Sequence, residues 1–252
     1  MKKQISAPPL QDEKVISSFG IQRRNMLKFF GASAAVVALG TACTKDGITT
    51  VFNPGGGNPP LPGPTAVNLG TGDVQILNYA YALEQLEAAF YIRIVTAANF
   101  TSLFTSPEER LYMTDIRDHE VIHREFFRAA IPAAVRIKDL TPKFDAIDFN
   151  SRAGILAQAK AFEDTGVKAY NGAAQYLSNT PEGLGYLLTA GKIVSVEARH
   201  ASVIRDLITD GTFSDDLNSQ ALEIELKPRP VVDIANMFLA ADSQIFKDNL
   251  PV

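Results

Sequence analysis

The sequence predicts an all-α fold: a four-helix bundle with one long crossover and a short C-terminal helical extension. Three observations carry that expectation. Apolar residues recur at helical spacing over four stretches of about 25 residues. No alternating β pattern competes over comparable length. The connections run short, long, short, and a long middle connection lets the chain cross the length of a bundle between its second and third helices.

Ahead of the bundle, residues 1–42 read as an export signal. Arg23-Arg24-Asn25-Met26-Leu27-Lys28 precede an apolar, Ala-rich run from Phe29 to Ala42. The paired arginines followed by Met-Leu-Lys resemble the twin-arginine signal, the route for proteins exported already folded. The run ends at Leu39-Gly40-Thr41-Ala42-Cys43, which is similar to a bacterial lipoprotein cleavage site with Cys43 as the lipidated residue. It departs from that pattern because Leu39 lies one residue too far upstream and Gly40 holds its place. A plain signal peptide with an incidental Cys43 is the alternative. Either way the expected location is outside the cytoplasm, periplasmic or anchored to the membrane of a bacterial envelope. Residues 43–72, with Asn53-Pro54-Gly55-Gly56-Gly57-Asn58-Pro59-Pro60, are too poor in apolar residues to bury a core and read as a tether.

The four helices then follow in order within residues 73–210. Asp73 to about Phe100 has helical apolar spacing without Gly or Pro. Ser106-Pro107-Glu108-Glu109 opens the second helix with Ser as cap, Pro at the first position and Glu three residues after the cap. It runs to about Ala130, where Pro132 stops it, and an irregular stretch follows to Asn150. A third helix spans roughly Ser151 to Leu177, and Asn179-Thr180-Pro181-Glu182 opens a fourth to about Thr209. Residues 211–252 form the extension, with a short fifth helix expected over Pro230–Phe246.

Composition narrows the function. The 252 residues are 46% hydrophobic and 21% charged, ordinary for a globular chain and unlike a disordered or collagenous one. One Cys permits neither an internal disulfide nor a Cys-rich zinc site. No run of 18 apolar residues suggests a multi-span membrane protein. The net charge is −4; residues 1–42 hold six basic and two acidic residues, so the remainder carries −8. That balance argues against nucleic acid as a partner.

The chemistry lies in six residues on the apolar stripes. The first helix presents Leu77, Tyr81, Glu84, Ala88, Tyr91 and Val95; the third presents Leu156, Ala159, Glu163, Val167 and Tyr170. The second presents Met113, Ile116, Glu120, His123 and Phe127; the fourth presents Ile193, Glu197, His200 and Ile204. Each stripe is interrupted by one Glu, and the second and fourth add a His three residues on, about 60° away on the same helical face. Four buried carboxylates facing one another cost several kcal/mol each unless something positive sits between them. Two divalent cations would balance four carboxylates, with two neutral imidazoles completing the coordination. The halves also repeat: Tyr91 and Tyr170 each follow a Glu by seven residues, and Glu120 and Glu197 follow Glu84 and Glu163 by 36 and 34.

Glu84…Glu120-x-x-His123…Glu163…Glu197-x-x-His200 resembles the di-iron carboxylate site of the ferritin-like superfamily. The segments Leu83-Glu84-Gln85-Leu86-Glu87-Ala88-Ala89-Phe90-Tyr91 and Glu197-Ala198-Arg199-His200-Ala201 resemble exported ferritin-like-domain proteins of the desiccation-related type. The resemblance covers about residues 73–210. It implies a bridged pair of metal ions, two irons or alternatively manganese, that reacts with oxygen or peroxide. Glu84, Glu163, His123 and His200 would be terminal ligands, and Glu120 and Glu197 would bridge. The fold hosts ferroxidases, peroxidases, catalases and oxygenases, so the substrate stays open. A stress-protection protein that keeps the metals as a structural staple is a second reading, and a di-manganese catalase-like enzyme a third. A homo-oligomer is compatible with all three.

Several neighbours compete for roles. Glu87 shares another apolar stripe with Leu83, Phe90 and Ile94; the Tyr seven residues after Glu84 favours Glu84. Asp164 is a weaker rival to Glu163. Tyr91 and Tyr170 could bond the ligands or be redox-active, although ordinary bundle packing is the commoner role for such tyrosines. His119-Glu120-Val121-Ile122-His123 also matches the zinc-protease motif, in which both histidines hold zinc and Glu120 is a general base. That reading leaves Glu84, Glu163, Glu197 and His200 without a purpose. His119 is therefore expected behind the ligands or in packing.

Overall fold

The computed structural model describes residues 66–252. The export signal, Cys43 and the greater part of the tether lie outside the described residues. The fold is all-α, as the sequence predicts. Four long helices, α1 (Gly72–Val95), α2 (Pro107–Ala130), α3 (Arg152–Ala173) and α4 (Pro181–Ile208), are followed by a short α5 (Pro228–Asn236). Among the described residues β structure amounts to isolated bridges, and no helix is long and apolar enough to cross a membrane.

The helix starts follow their capping chemistry. Ser106 accepts from the Glu108 and Glu109 amides, Ser151 from Gly154, and Thr180 from Gly183, each occupying orphan donors of a first turn. Glu109 does not complete the capping box. It takes both arms of Arg152, at 2.6 and 3.1 Å, joining the start of α2 to the start of α3. Arg152 also donates to the Leu207 carbonyl in the last turn of α4. Two helix starts and one helix end therefore meet at the same pole, which requires residues 131–151 to traverse the bundle. α1 packs along α2, and α3 along α4.

Two helices are shorter than periodicity suggests. α1 stops at Val95, where Thr96 turns its hydroxyl onto the Ile92 carbonyl, and a separate turn of helix covers Phe100–Leu103. α3 ends at Ala173 and tightens into a 3₁₀ turn over Ala174–Tyr176.

α1 is the central helix, buried nearly all round from Gln75 to Ala88. Its buried amides hold the crossover. Asn78 donates to the Val135 and Leu69 carbonyls and accepts from the Ile137 amide, while Gln85 accepts from the Leu140 amide at 2.7 Å. Phe144 and Phe149 of the crossover close on Phe90 of α1.

The ends of the domain differ from expectation. Leu69, assigned by composition to the tether, is fully buried, and Val67 bridges Ile245. The fifth helix ends at Asn236, ten residues before Phe246, because the Asn236 side chain turns to bond the Ile245 backbone in both directions. From Leu226 onward, α5 and the chain after it form a strap: Val231, Val232, Leu239, Ile245 and Leu250 are all buried. It lies so close to α3 that a Cβ on Gly172 would fall 1.8 Å from the Leu226 carbonyl oxygen. Gly172→Ala must push that backbone away, and overpacking of this kind typically costs about 1–3 kcal/mol. Urea unfolding should show this loss; an unchanged midpoint would mean that the strap is not seated against α3.

Candidate metal centre

The six stripe residues meet in the middle of the bundle. Glu84, Glu120, Glu163 and Glu197 are fully buried, and His123 and His200 nearly so. One helix supplies each Glu, and α2 and α4 add the histidines on the same face.

They form two groups that share two members. The His123 Nδ1 lies 3.4 Å from Glu84 Oε2, 3.8 Å from Glu120 Oε2 and 2.8 Å from Glu197 Oε1. The His200 Nδ1 lies 2.8 Å from Glu120 Oε1, 3.5 Å from Glu163 Oε2 and 3.4 Å from Glu197 Oε2. Glu120 and Glu197 thus send one oxygen to each group, and Glu84 and Glu163 each serve one.

Although at ion-pair distances, these atoms make no hydrogen bonds to each other. Glu84 Oε2, Glu163 Oε2, both oxygens of Glu120 and of Glu197, and the two Nδ1 atoms are all buried and lack hydrogen bonds of acceptable geometry. Eight orphaned polar atoms in one place would be costly in a bundle core. Within each group the ligand atoms all lie within 4.8 Å of one another, close enough to hold a metal ion.

The other oxygens of the terminal carboxylates are satisfied crosswise. Tyr91 of α1 donates to Glu163 Oε1 on α3, and Tyr170 of α3 donates to Glu84 Oε1 on α1, both at 2.5 Å. Burial, and then the charge of the bonded Glu, pushes both phenols well above their ordinary range, so both stay donors. Of the roles open to these tyrosines, bonding to the ligands or ordinary packing, the structure shows the bond to the carboxylates, and to the Glu of the other half, a pairing that helical spacing alone does not disclose. Tyr170→Phe would strand the buried Glu84 Oε1. We expect a loss of about 1–3 kcal/mol in urea unfolding, the usual penalty for an orphaned buried acceptor. No loss would detach Tyr170 from the site.

Among themselves the side chains redistribute protons. Burial, followed by the charge of Glu197, pushes Glu120 up to about 8. Burial also acts to raise Glu197, yet the His123 and His200 imidazoles against it win and hold it at about 2. Burial acts to lower both histidines, but Glu84 beside His123 and Glu163 beside His200, with the bridging carboxylates, raise them far above the ordinary imidazole range.

The rivals separate cleanly. Asp164 points away from the cluster to Arg205 at 2.5 Å and Lys160 at 2.6 Å. His119 belongs to neither group: its Nδ1 lies 2.9 Å from His200 Nε2, on the far side of that ring. The zinc-protease arrangement needs His119 and His123 on one ion, so this geometry disfavours it. Glu87 is buried but stands apart, making no hydrogen bond or ion pair to the described residues. Burial and then the charges of Glu120, Glu197, Glu163 and Glu84 push it well above the carboxylate range. Glu87 lines a small cavity of about 20 Å³ with Thr165 and Gly166, room for about one water. Gly166 stands 79 residues after Glu87, as Glu163 stands after Glu84, and a Cβ there would meet Glu87 Oε1 at 3.0 Å. The repeat therefore holds a clue to this recess, a Glu facing a Gly, that stripe reading passed over.

Residues 72–210, more than half of the chain, match the family model described as Ferritin-like domain. No curated protein matches the chain.

Proposed function

Because this chain belongs to the ferritin-like domain family, we propose that it is an exported di-metal carboxylate protein with two iron ions and oxidase-, ferroxidase- or peroxidase-like activity. The observation that carries the reading is the set of eight buried donor atoms without hydrogen-bond partners. Glu84 and His123 would hold one ion, Glu163 and His200 the other, and Glu120 and Glu197 would span both. Two irons in such a site supply redox chemistry toward oxygen or peroxide. The protein's part is to orient the donors: Tyr91 and Tyr170 fix Glu163 and Glu84 through their second oxygens. The closed core keeps bulk water off the carboxylates.

Anaerobic loading with ferrous iron followed by oxygen tests the reading. Turnover would appear as a visible absorbance of oxidised iron that can be cycled with a reductant; a bound but inert metal supports the structural-staple alternative, which complete burial of the four carboxylates also suits. The same oxygen and nitrogen donors accept manganese. Metal analysis of the exported protein with a peroxide assay separates a di-manganese catalase from an iron protein.

Export is part of the proposal, through the twin-arginine machinery and with Cys43 as a lipid anchor to the membrane. A chain folded before export can take up its metals in the cytoplasm. The double substitution Arg23→Lys/Arg24→Lys should leave folded precursor in the cytoplasm, seen by cell fractionation. Efficient export of that variant would exclude the twin-arginine route.

A further inference from the structure

The two halves of the cluster are closely matched in their donors: one Glu, one oxygen from each bridging Glu, and one Nδ1. What stands behind the two imidazoles is not matched. His200 Nε2 lies 2.9 Å from His119 Nδ1, and the two rings meet end to end, nearly parallel, with centroids 5.2 Å apart and planes within 10°. His119 is exposed, and its own outer nitrogen, Nε2, makes no hydrogen bond to the described residues. His123 has no hydrogen bond on Nε2 among the described residues. The repeat supplies the reason. His119 precedes Glu120 as Val196 precedes Glu197, and a Val side chain cannot accept a proton.

An imidazole whose Nδ1 lone pair goes to a cation keeps its proton on Nε2. The His200 Nε2–H must then donate, and His119 Nδ1 must accept, which places the His119 proton on its outer nitrogen. Such a bond fixes the tautomer and ring of a ligating histidine and strengthens it as a donor. We propose that His119 makes the two cation positions unequal: as a positioning residue for His200, it gives the Glu163–His200 position the higher affinity, so that this position fills first and the Glu84–His123 position second. The inference rests on the di-metal reading of the cluster.

Titration of the metal-stripped full chain with Co²⁺, followed by its visible absorption, tests both and tells them apart. The wild-type protein should bind two Co²⁺ in resolved steps. His119→Ala should weaken the tighter step by about 10–100-fold, the usual effect of losing such a partner, and leave the weaker step in place. His119→Gln should restore the tighter step, because its amide oxygen can accept from the His200 Nε2–H. His200→Ala should remove the tighter step, and adding His119→Ala to it should change nothing more. In His123→Ala the surviving step should keep its full sensitivity to His119→Ala. Melting of the metal-stripped His119→Ala protein should match wild type, since the residue is exposed. Two Co²⁺ bound with both steps indifferent to His119→Ala would overturn the inference and leave the di-metal reading standing, as would an effect that persists in His200→Ala. Failure of the wild-type chain to bind Co²⁺ would overturn the di-metal reading itself.

Discussion

His200→Ala should leave fewer than two metal ions per chain and abolish the reaction with oxygen, whereas His119→Ala at saturating metal should keep two. Glu120 and His123 serve both the di-metal and the zinc-protease readings, so changing them decides nothing. The discriminating residues are these two. His200 Nδ1 faces three carboxylates at 2.8–3.5 Å, and removing it opens one position to water. His119 touches the cluster only through the outer nitrogen of His200. Elemental analysis of the purified variants reads the outcome. One zinc per chain, lost with His119 and indifferent to His200, would sink the di-metal account.

Stripping the metals should lower the melting temperature, and the gap should widen as pH rises. The sign follows from the shifts. Glu120, ordinarily near 4.5, is pushed up to about 8. The metal-stripped fold therefore prefers its proton, and that contribution is complete below about pH 4.5 and lost as pH rises through 8. The raised histidines contribute in the same sense: full below their ordinary 6.5 and declining above it. Glu197, held at about 2, contributes above its ordinary 4.5 and is lost only as pH falls toward 2. The metal-stripped protein thus weakens as pH rises from about 4.5, first with Glu120 through 8 and further with the histidines beyond it. Cations compete with those same protons, so their binding strengthens over the same range. Metal at a hundredfold excess over its dissociation constant adds about 2.7 kcal/mol per site, or roughly 10–20 °C for two sites in a domain of this size. Glu163→Gln should raise the metal-stripped melting temperature and shrink the metal-dependent gain, since its amide still accepts from Tyr91 while one carboxylate is gone. Equal melting of stripped and loaded protein at neutral pH would contradict a buried site.

Local chemistry made much of this fold legible. Ser106-Pro107, Ser151 and Thr180-Pro181 mark helix starts because a cap oxygen and a ready-made φ act within one turn. The inward Glu and His residues stand out because each breaks an otherwise apolar stripe. What stayed hidden depends on contacts distant in sequence. Asn78 and Gln85 look like polar interruptions of α1 until the crossover backbone lies against them. Leu69 sits in a Pro- and Gly-rich neighbourhood that composition assigns to a tether, and only its burial reveals its place in the core. Asn236 ends α5 through a bond to Ile245, nine residues on, against an apolar pattern that would continue the helix. Tyr91 and Tyr170 share the stripe of their own helix's Glu, but each bonds the Glu of the other half, a pairing that the repeat displays without the register between halves.

Anomalous X-ray scattering from crystals of the metal-loaded protein tests the central claim most directly. The account predicts two peaks per chain, about 3.5–4 Å apart as in two-metal sites generally. Glu120 and Glu197 should lie between them, His123 Nδ1 on one and His200 Nδ1 on the other. A single peak held by His119 and His123, or no peak among these six side chains, would contradict it.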